Sequence, residues 1–186
     1  MNKTALYIVV ALLALTAGAG AGYWQYKRLP EQTASAAPAA PTFWQASFKD
    51  VAGKPQALAQ WRGKPLVVNY WATWCAPCRE EMPDFDATAK ALGDKATVVG
   101  IAIDNPEAVK KFLGELAISY PILVGEEDAL GLMRAEGNHI GGLPYTVVYD
   151  KTGRKVAAHA GRLSRDKLNA FLKPLLQAEK VADTRQ

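Results

Sequence analysis

Residues 66–83 read Leu66-Val67-Val68-Asn69-Tyr70-Trp71-Ala72-Thr73-Trp74-Cys75-Ala76-Pro77-Cys78-Arg79-Glu80-Glu81-Met82-Pro83. The first six are aliphatic or aromatic on both faces except at Asn69, the pattern of a strand buried in a parallel sheet. From Arg79 onward Met82, Phe85, Ala89 and Leu92 recur at intervals of three and four, which predicts an amphipathic helix ended by Gly93 and kinked at Pro83. Cys75 and Cys78, the only two cysteines of the chain, therefore fall at a strand-to-helix junction. Two thiols spaced in this way read first as a redox dithiol and second as half of a metal site. A four-thiolate zinc site is excluded by count.

Downstream, Thr97 to Ile103 is a second apolar strand, followed by Asn105 as a helix cap and Pro106 as a first helical residue. Val109, Phe112, Leu113 and Leu116 give that helix an apolar face. Strand, helix, strand, helix implies parallel strands with right-handed crossovers. Pro121 to Val124 is short and apolar, and Asp128 to Arg134 predicts a short helix. Tyr145 to Tyr149 and Val156 to Ala160 flank Asp150-Lys151-Thr152-Gly153-Arg154, which has hairpin-turn chemistry. A last helix begins near Ser164, carries Leu168, Phe171, Leu172, Leu175 and Leu176 on one face, and is interrupted by Pro174. Upstream, Phe43 to Phe48 and the turn residues Asp50 to Lys54 predict an N-terminal strand or hairpin, closed by Trp61 to Lys64.

The N-terminal segment, residues 1–28, is of another kind. Thr4 to Tyr26 holds no charged side chain, enough for a membrane-compatible helix of about 20 residues. Tyr23, Trp24, Tyr26, Lys27 and Arg28 resemble an interfacial belt, although the two cations on that side oppose the positive-inside rule. The alternative is a cleaved signal peptide, with Ala17 to Ala21 offering small-residue sites. Either way the domain is expected outside the cytoplasm. Residues 29–42, rich in Ala and Pro, form a tether of about 14 residues that at ~3 Å each spans some 40 Å. Residues 43–178 remain for a globular domain, and 179–186 for a polar, frayed tail.

The 186 residues carry a net charge of +4, with 22 basic and 18 acidic side chains. Three of the basic and one of the acidic residues lie within residues 1–41, so the domain is nearly neutral and no nucleic-acid surface is indicated. With no cysteines left over for a disulfide framework, the core must supply the stability.

The run LVVNYWATWCAPCREEMP (Leu66 to Pro83), the strand VVGIAID ending at Asp104 and GGLPYTVVYDKTGR (Gly141 to Arg154) resemble the membrane-anchored thioredoxin-like reductases of the bacterial envelope, the TlpA/ResA type. The resemblance spans about Phe43 to Ala178. It implies an α/β thioredoxin-like fold: a central mixed sheet flanked by helices, with an N-terminal strand or hairpin extension. It also implies a thiol-disulfide oxidoreductase working as a reductase on disulfide-containing envelope proteins, in cytochrome c maturation or copper-site assembly. A transmembrane thiol donor would re-reduce it. The expected place is the inner membrane, with one span and the domain facing the periplasm, or the soluble periplasm after signal cleavage; a monomer without cofactor or metal is expected. The chain departs from cytosolic thioredoxin, which has an aspartate at Asn69 and a lysine at Gly100, and from the family's Thr or Ser at Tyr145. Asn69 is expected to hydrogen-bond locally, since a buried amide needs a partner.

In this frame Cys75, at a helix N-terminus where unpaired N–H groups favour a thiolate, is the nucleophile. Cys78, one turn on, resolves the mixed disulfide. Glu81 matches the envelope family's glutamate and is assigned the proton of Cys78, against the plainer reading of an acid near the first turn that complements the helix dipole. Glu80 reads as a solvated first-turn residue. Pro144 is expected to be cis, leaving the Leu143 backbone free to pair with an extended substrate and shielding the thiols from metal. Trp74 is assigned an apolar platform over the dithiol, and Pro77 a stiffening of the loop. A copper metallochaperone using Cys75, Cys78 and His139 or His159 is the alternative. A peroxidase is disfavoured because Thr73 stands two residues before Cys75, where that class has three.

Overall fold

The computed structural model describes residues 42–183, and the side chains of the last helix as far as Gln177. The anchor, most of the tether and the end of the tail lie outside these residues. Seven strands form one sheet: β1 (Ser47–Asp50), β2 (Pro55–Ala57), β3 (Leu66–Trp71), β4 (Thr97–Ala102), β5 (Ile122–Val124), β6 (Tyr145–Tyr149) and β7 (Lys155–Ala160). Their spatial order is β2-β1-β5-β4-β3-β6-β7. β3, β4 and β5 are parallel, whereas β1, β2, β6 and β7 join antiparallel. The sheet is therefore mixed, as expected, with β4 at its middle and β3 beside it, between β4 and β6.

All six residues of β3 are fully buried, because helices cover both faces and side chains alternate between them. Val67 and Trp71 pack with Met82 and Phe85 of α1 (Ala76–Leu92), Val109 of α2 (Pro106–Glu115), and Leu168 and Leu172 of α4 (Arg165–Asp183). Leu66, Val68 and Tyr70 pack with Leu132 and Met133 of α3 (Glu126–Ala135) and with Phe43, Phe48 and Leu58 of the N-terminal extension. Burying each such side chain contributes about 1.5–3 kcal/mol. Phe43 to Gln45 form a 3-10 turn instead of the expected start of a strand, stacking Phe43 on Tyr149 at 4.5 Å.

One proline expectation needs correction, the interruption at Pro174, whereas Pro83 lies inside α1 as expected. α1 runs on through Pro83 to Leu92, and α4 runs through Pro174 to Asp183. Packing of their apolar faces holds each helix together where the missing N–H alone would break it. α4 accordingly passes the expected domain boundary at residue 178. Asn105 caps α2 by accepting the Ala108 N–H at 2.8 Å, and Gly93 ends α1 at φ 53°.

Candidate active site

The strand β3 delivers the chain to Ala72, and α1 starts at Ala76, three residues before the expected Arg79. Cys75 is thus the N-cap: its Sγ accepts the Cys78 N–H at 3.3 Å, while its carbonyl accepts the Arg79 N–H at 3.2 Å. A sulfur there faces the positive end of the helix, which favours thiolate over thiol. Cys75 and Cys78 are joined in a disulfide with Cα atoms 5.3 Å apart. Cys75 is 6% exposed and Cys78 fully buried, so the outer sulfur is the accessible one. Pro77 occupies the first turn of α1, where its absent N–H costs nothing.

Trp74 is 70% exposed, immediately before the cap. The preceding turn is held by a residue that sequence reasoning passed over. Asp104, at the end of β4, accepts the Thr73 N–H at 3.0 Å and the Thr73 hydroxyl at 2.5 Å. The sequence offered a signal, an acid at the carboxyl end of the neighbouring parallel strand, where sites on such sheets gather.

The Leu143–Pro144 peptide bond is cis and leads straight into β6, which pairs with β3. Pro144 contributes its carbonyl to the Gly161 N–H at 2.8 Å. Leu143 is half-buried. Tyr145, where the family has Thr or Ser, turns into the core and donates its hydroxyl to the Glu136 carbonyl at 2.9 Å.

Glu81 lies in the second turn of α1 and is fully buried, not at the first-turn position that would only complement the dipole. Its Oε1 accepts the Asn69 Nδ2–H at 2.8 Å and its Oε2 the Leu163 main-chain N–H at 2.7 Å. Burial pushes the carboxyl up to about 7, while those two hydrogen bonds and the Arg162 charge favour its ionised form. It follows Cys78 by three residues and so lies on the same helix face. Asn69 bonds across the core and not locally, reaching Glu81 and Thr146 Oγ1 at 3.3 Å. Glu80 is not merely solvated: it pairs with Arg162 at 3.3 Å on the surface, where such pairs contribute little.

His139 is exposed. His159 contacts the Arg162 carbonyl and Lys167 Nζ, each at 3.3 Å. Among the described residues no group of three or more His, Cys, Asp or Glu side chains is placed to hold a metal ion.

A CxxC disulfide capping a helix at the end of the buried strand β3, with a cis-proline opening the neighbouring strand, defines a thioredoxin-fold dithiol protein. The chain belongs to the AhpC/TSA family, whose profile matches residues 37–159. It is 28% identical over 173 residues to the thiol-disulfide oxidoreductase ResA of Bacillus thuringiensis, covering 91% of this chain and 95% of that one. Among solved structures, a thiol:disulfide interchange protein of the thioredoxin family from Chlorobium tepidum is 31% identical. The TM-score is 0.64, over 75% of this chain and 99% of that one. A thioredoxin-related protein from Neisseria meningitidis serogroup B is 34% identical with a TM-score of 0.61, over 72% and 98%. Fold, dithiol and relatives together make this a redox protein of the thiol-disulfide oxidoreductase class.

Proposed function

We propose that the protein is a protein-disulfide reductase of the bacterial envelope, acting through Cys75 and Cys78. The observation that carries this is the N-cap position of the accessible Cys75 sulfur, with the buried carboxyl of Glu81 on the helix face just past Cys78. In the reduced protein the Cys75 thiolate attacks one sulfur of a substrate disulfide, forming a mixed disulfide and expelling the other sulfur as thiolate. Glu81 then takes the Cys78 proton, the Cys78 thiolate attacks Cys75 Sγ, and the second substrate sulfur leaves as a thiolate. Two electrons pass to the substrate and the Cys75–Cys78 disulfide remains.

Substrate would lie along the backbone of Leu143 beside Pro144, with Trp74 as an apolar contact. The substrate class is disulfide-containing envelope proteins, cytochrome c precursors or copper-site assembly proteins. A transmembrane thiol donor returns the disulfide to the dithiol. Residues 1–28 anchor the chain in the inner membrane with the domain in the periplasm, or release it there after cleavage.

The test is insulin reduction by the full chain, together with a glutathione titration of the Cys75/Cys78 couple. Activity lost in Cys75→Ser and a potential at or below that of thioredoxin, about −270 mV, is the expected result. A couple as oxidising as that of DsbA, about −120 mV, or equal rates with Cys75→Ser, would overturn it.

A further inference from the structure

Asn69, Thr146 and His159 stand in one register row across β3, β6 and β7, with Gly100 of β4 completing it. At its centre both hydrogens of the fully buried Asn69 amide are used, one by Glu81 Oε1 and one by Thr146 Oγ1. Its oxygen, also buried, has no partner. Turning the amide over would break no bond made by that oxygen. It would, however, exchange the two bonds of Nδ2 for bonds to Oδ1 and carry the N–H groups to the side where no partner stands. Only a changed proton on Glu81 could offset that cost.

The proton on Glu81 decides which way the amide must face. Because the Leu163 N–H occupies Oε2, a proton taken up by the carboxyl goes on Oε1, toward Asn69. Ionised Glu81 needs a donor opposite Oε1, which is Nδ2. Protonated Glu81 presents an O–H and needs an acceptor, which is Oδ1. The Thr146 hydroxyl suits both orientations, accepting from Nδ2 in the first and donating to Oδ1 in the second.

We propose that Asn69 is a reversing amide that turns over when Glu81 gains or loses its proton, and so positions and tunes the acid behind Cys78. This rests on the proton role of Glu81 given above. It replaces the strand-borne carboxylate of cytosolic thioredoxin by an acid on the helix and an uncharged group on the strand.

Other charges reach the same carboxyl. Arg162, before α4, favours its ionised form, and Asp84 on α1 opposes it. The Tyr120 hydroxyl, before β5, is itself pushed up, mainly by burial. Cys78 precedes Glu81 on α1, and His159 stands beyond Thr146 with Lys167 against its ring. A response of the Asn69 amide must therefore be traced to Glu81 and not to His159.

The experiment follows the Asn69 side-chain NH2 resonances of the oxidised, isotope-labelled full chain through the pH range where Glu81 titrates. They should move with the midpoint of the Glu81 carboxyl carbon and stay fixed in Glu81→Gln. Asn69→Leu removes the donor to the ionised acid. It should move the pH profile of disulfide reduction upward by about one unit, tenfold in proton affinity, yet add nothing in a Glu81→Gln background. Asn69 resonances that stay still while Glu81 titrates would overturn the inference and spare the role of Glu81. So would an Asn69→Leu shift that persists without Glu81. If Glu81→Gln itself leaves the wild-type profile unchanged, the role of Glu81 fails and the inference with it. The resonance measurement needs only the wild-type and Glu81→Gln proteins, so the test stands even if Asn69→Leu does not fold.

Discussion

Glu81 and Leu163 are 82 positions apart in the chain, yet the buried carboxylate of one accepts the main-chain N–H of the other at 2.7 Å. The bond ties the second turn of α1 to the segment that opens α4. It also fills one carboxylate oxygen, leaving the other to Asn69. A structural tie and a proton-holding group are thus the same side chain.

That duality sets a pH dependence of stability. The Glu81 carboxyl is raised by burial from an ordinary 4.5 to about 7, so the folded state binds its proton more tightly than the unfolded state does. Its contribution is full below pH 4.5, falls as pH rises from there to about 7, and is flat above. The whole change is on the order of 3 kcal/mol. In Glu81→Gln this decline should disappear, which urea unfolding of the oxidised protein at a series of pH values will show. An unchanged slope across that window would refute the assignment.

The two sulfurs should separate by variant. Cys78→Ser removes the resolving thiol while keeping Cys75 at the N-cap, so a mixed disulfide between Cys75 and substrate should accumulate. Intact-protein mass spectrometry after mixing with an oxidised peptide reads the adduct directly. Adducts forming equally well on Cys78 in Cys75→Ser would overturn the assigned order.

How much of this was legible beforehand depended on the range of the interaction. Cys75, the cap at Asn105, the turn at Asp150 to Arg154 and the apolar runs of β3 and β4 are read from neighbours in the chain, and the structure has them where expected. Pro174 misled because it is a local breaker overruled by tertiary packing. Asn69 was expected to find a local partner because its partners, Glu81 and Thr146, are 12 and 77 positions away. The Leu163 contact is made by a main-chain N–H, which leaves no residue-type signature at all.

Asp104 should prove a positioning residue for the turn before Cys75. In Asp104→Ala the Thr73 N–H and hydroxyl lose a shared acceptor and the Asn105 N–H loses a 2.8 Å contact. At a half-buried site this should cost about 1–2 kcal/mol. Disulfide reduction should slow as the turn loosens. Asp104→Asn keeps one acceptor oxygen and should recover most of both losses. If Asp104→Ala matched wild type in rate and unfolding midpoint, the turn would be held by the rest of the backbone.

Restoring the cytosolic lysine at Gly100 should fail for lack of room. A β-carbon there would stand 2.6 Å from Ile122 Cδ1, 3.1 Å from Trp71 Nε1 and 3.2 Å from the Tyr120 ring. All three side chains are buried and fill the volume that a lysine stem would need. Ile122 can yield at its terminal methyl, but Trp71 and Tyr120 close the other sides, so overpacking of about 1–3 kcal/mol is expected for Gly100→Ala. Gly100→Lys should cost more, because its ammonium would be desolvated beside the Trp71 ring. Urea midpoints should fall in the order wild type, Gly100→Ala, Gly100→Lys with an unchanged slope. A Gly100→Lys protein as stable as wild type would mean that the space beside Asn69 opens readily. The acid would then have no packing reason to sit on α1 instead of β3.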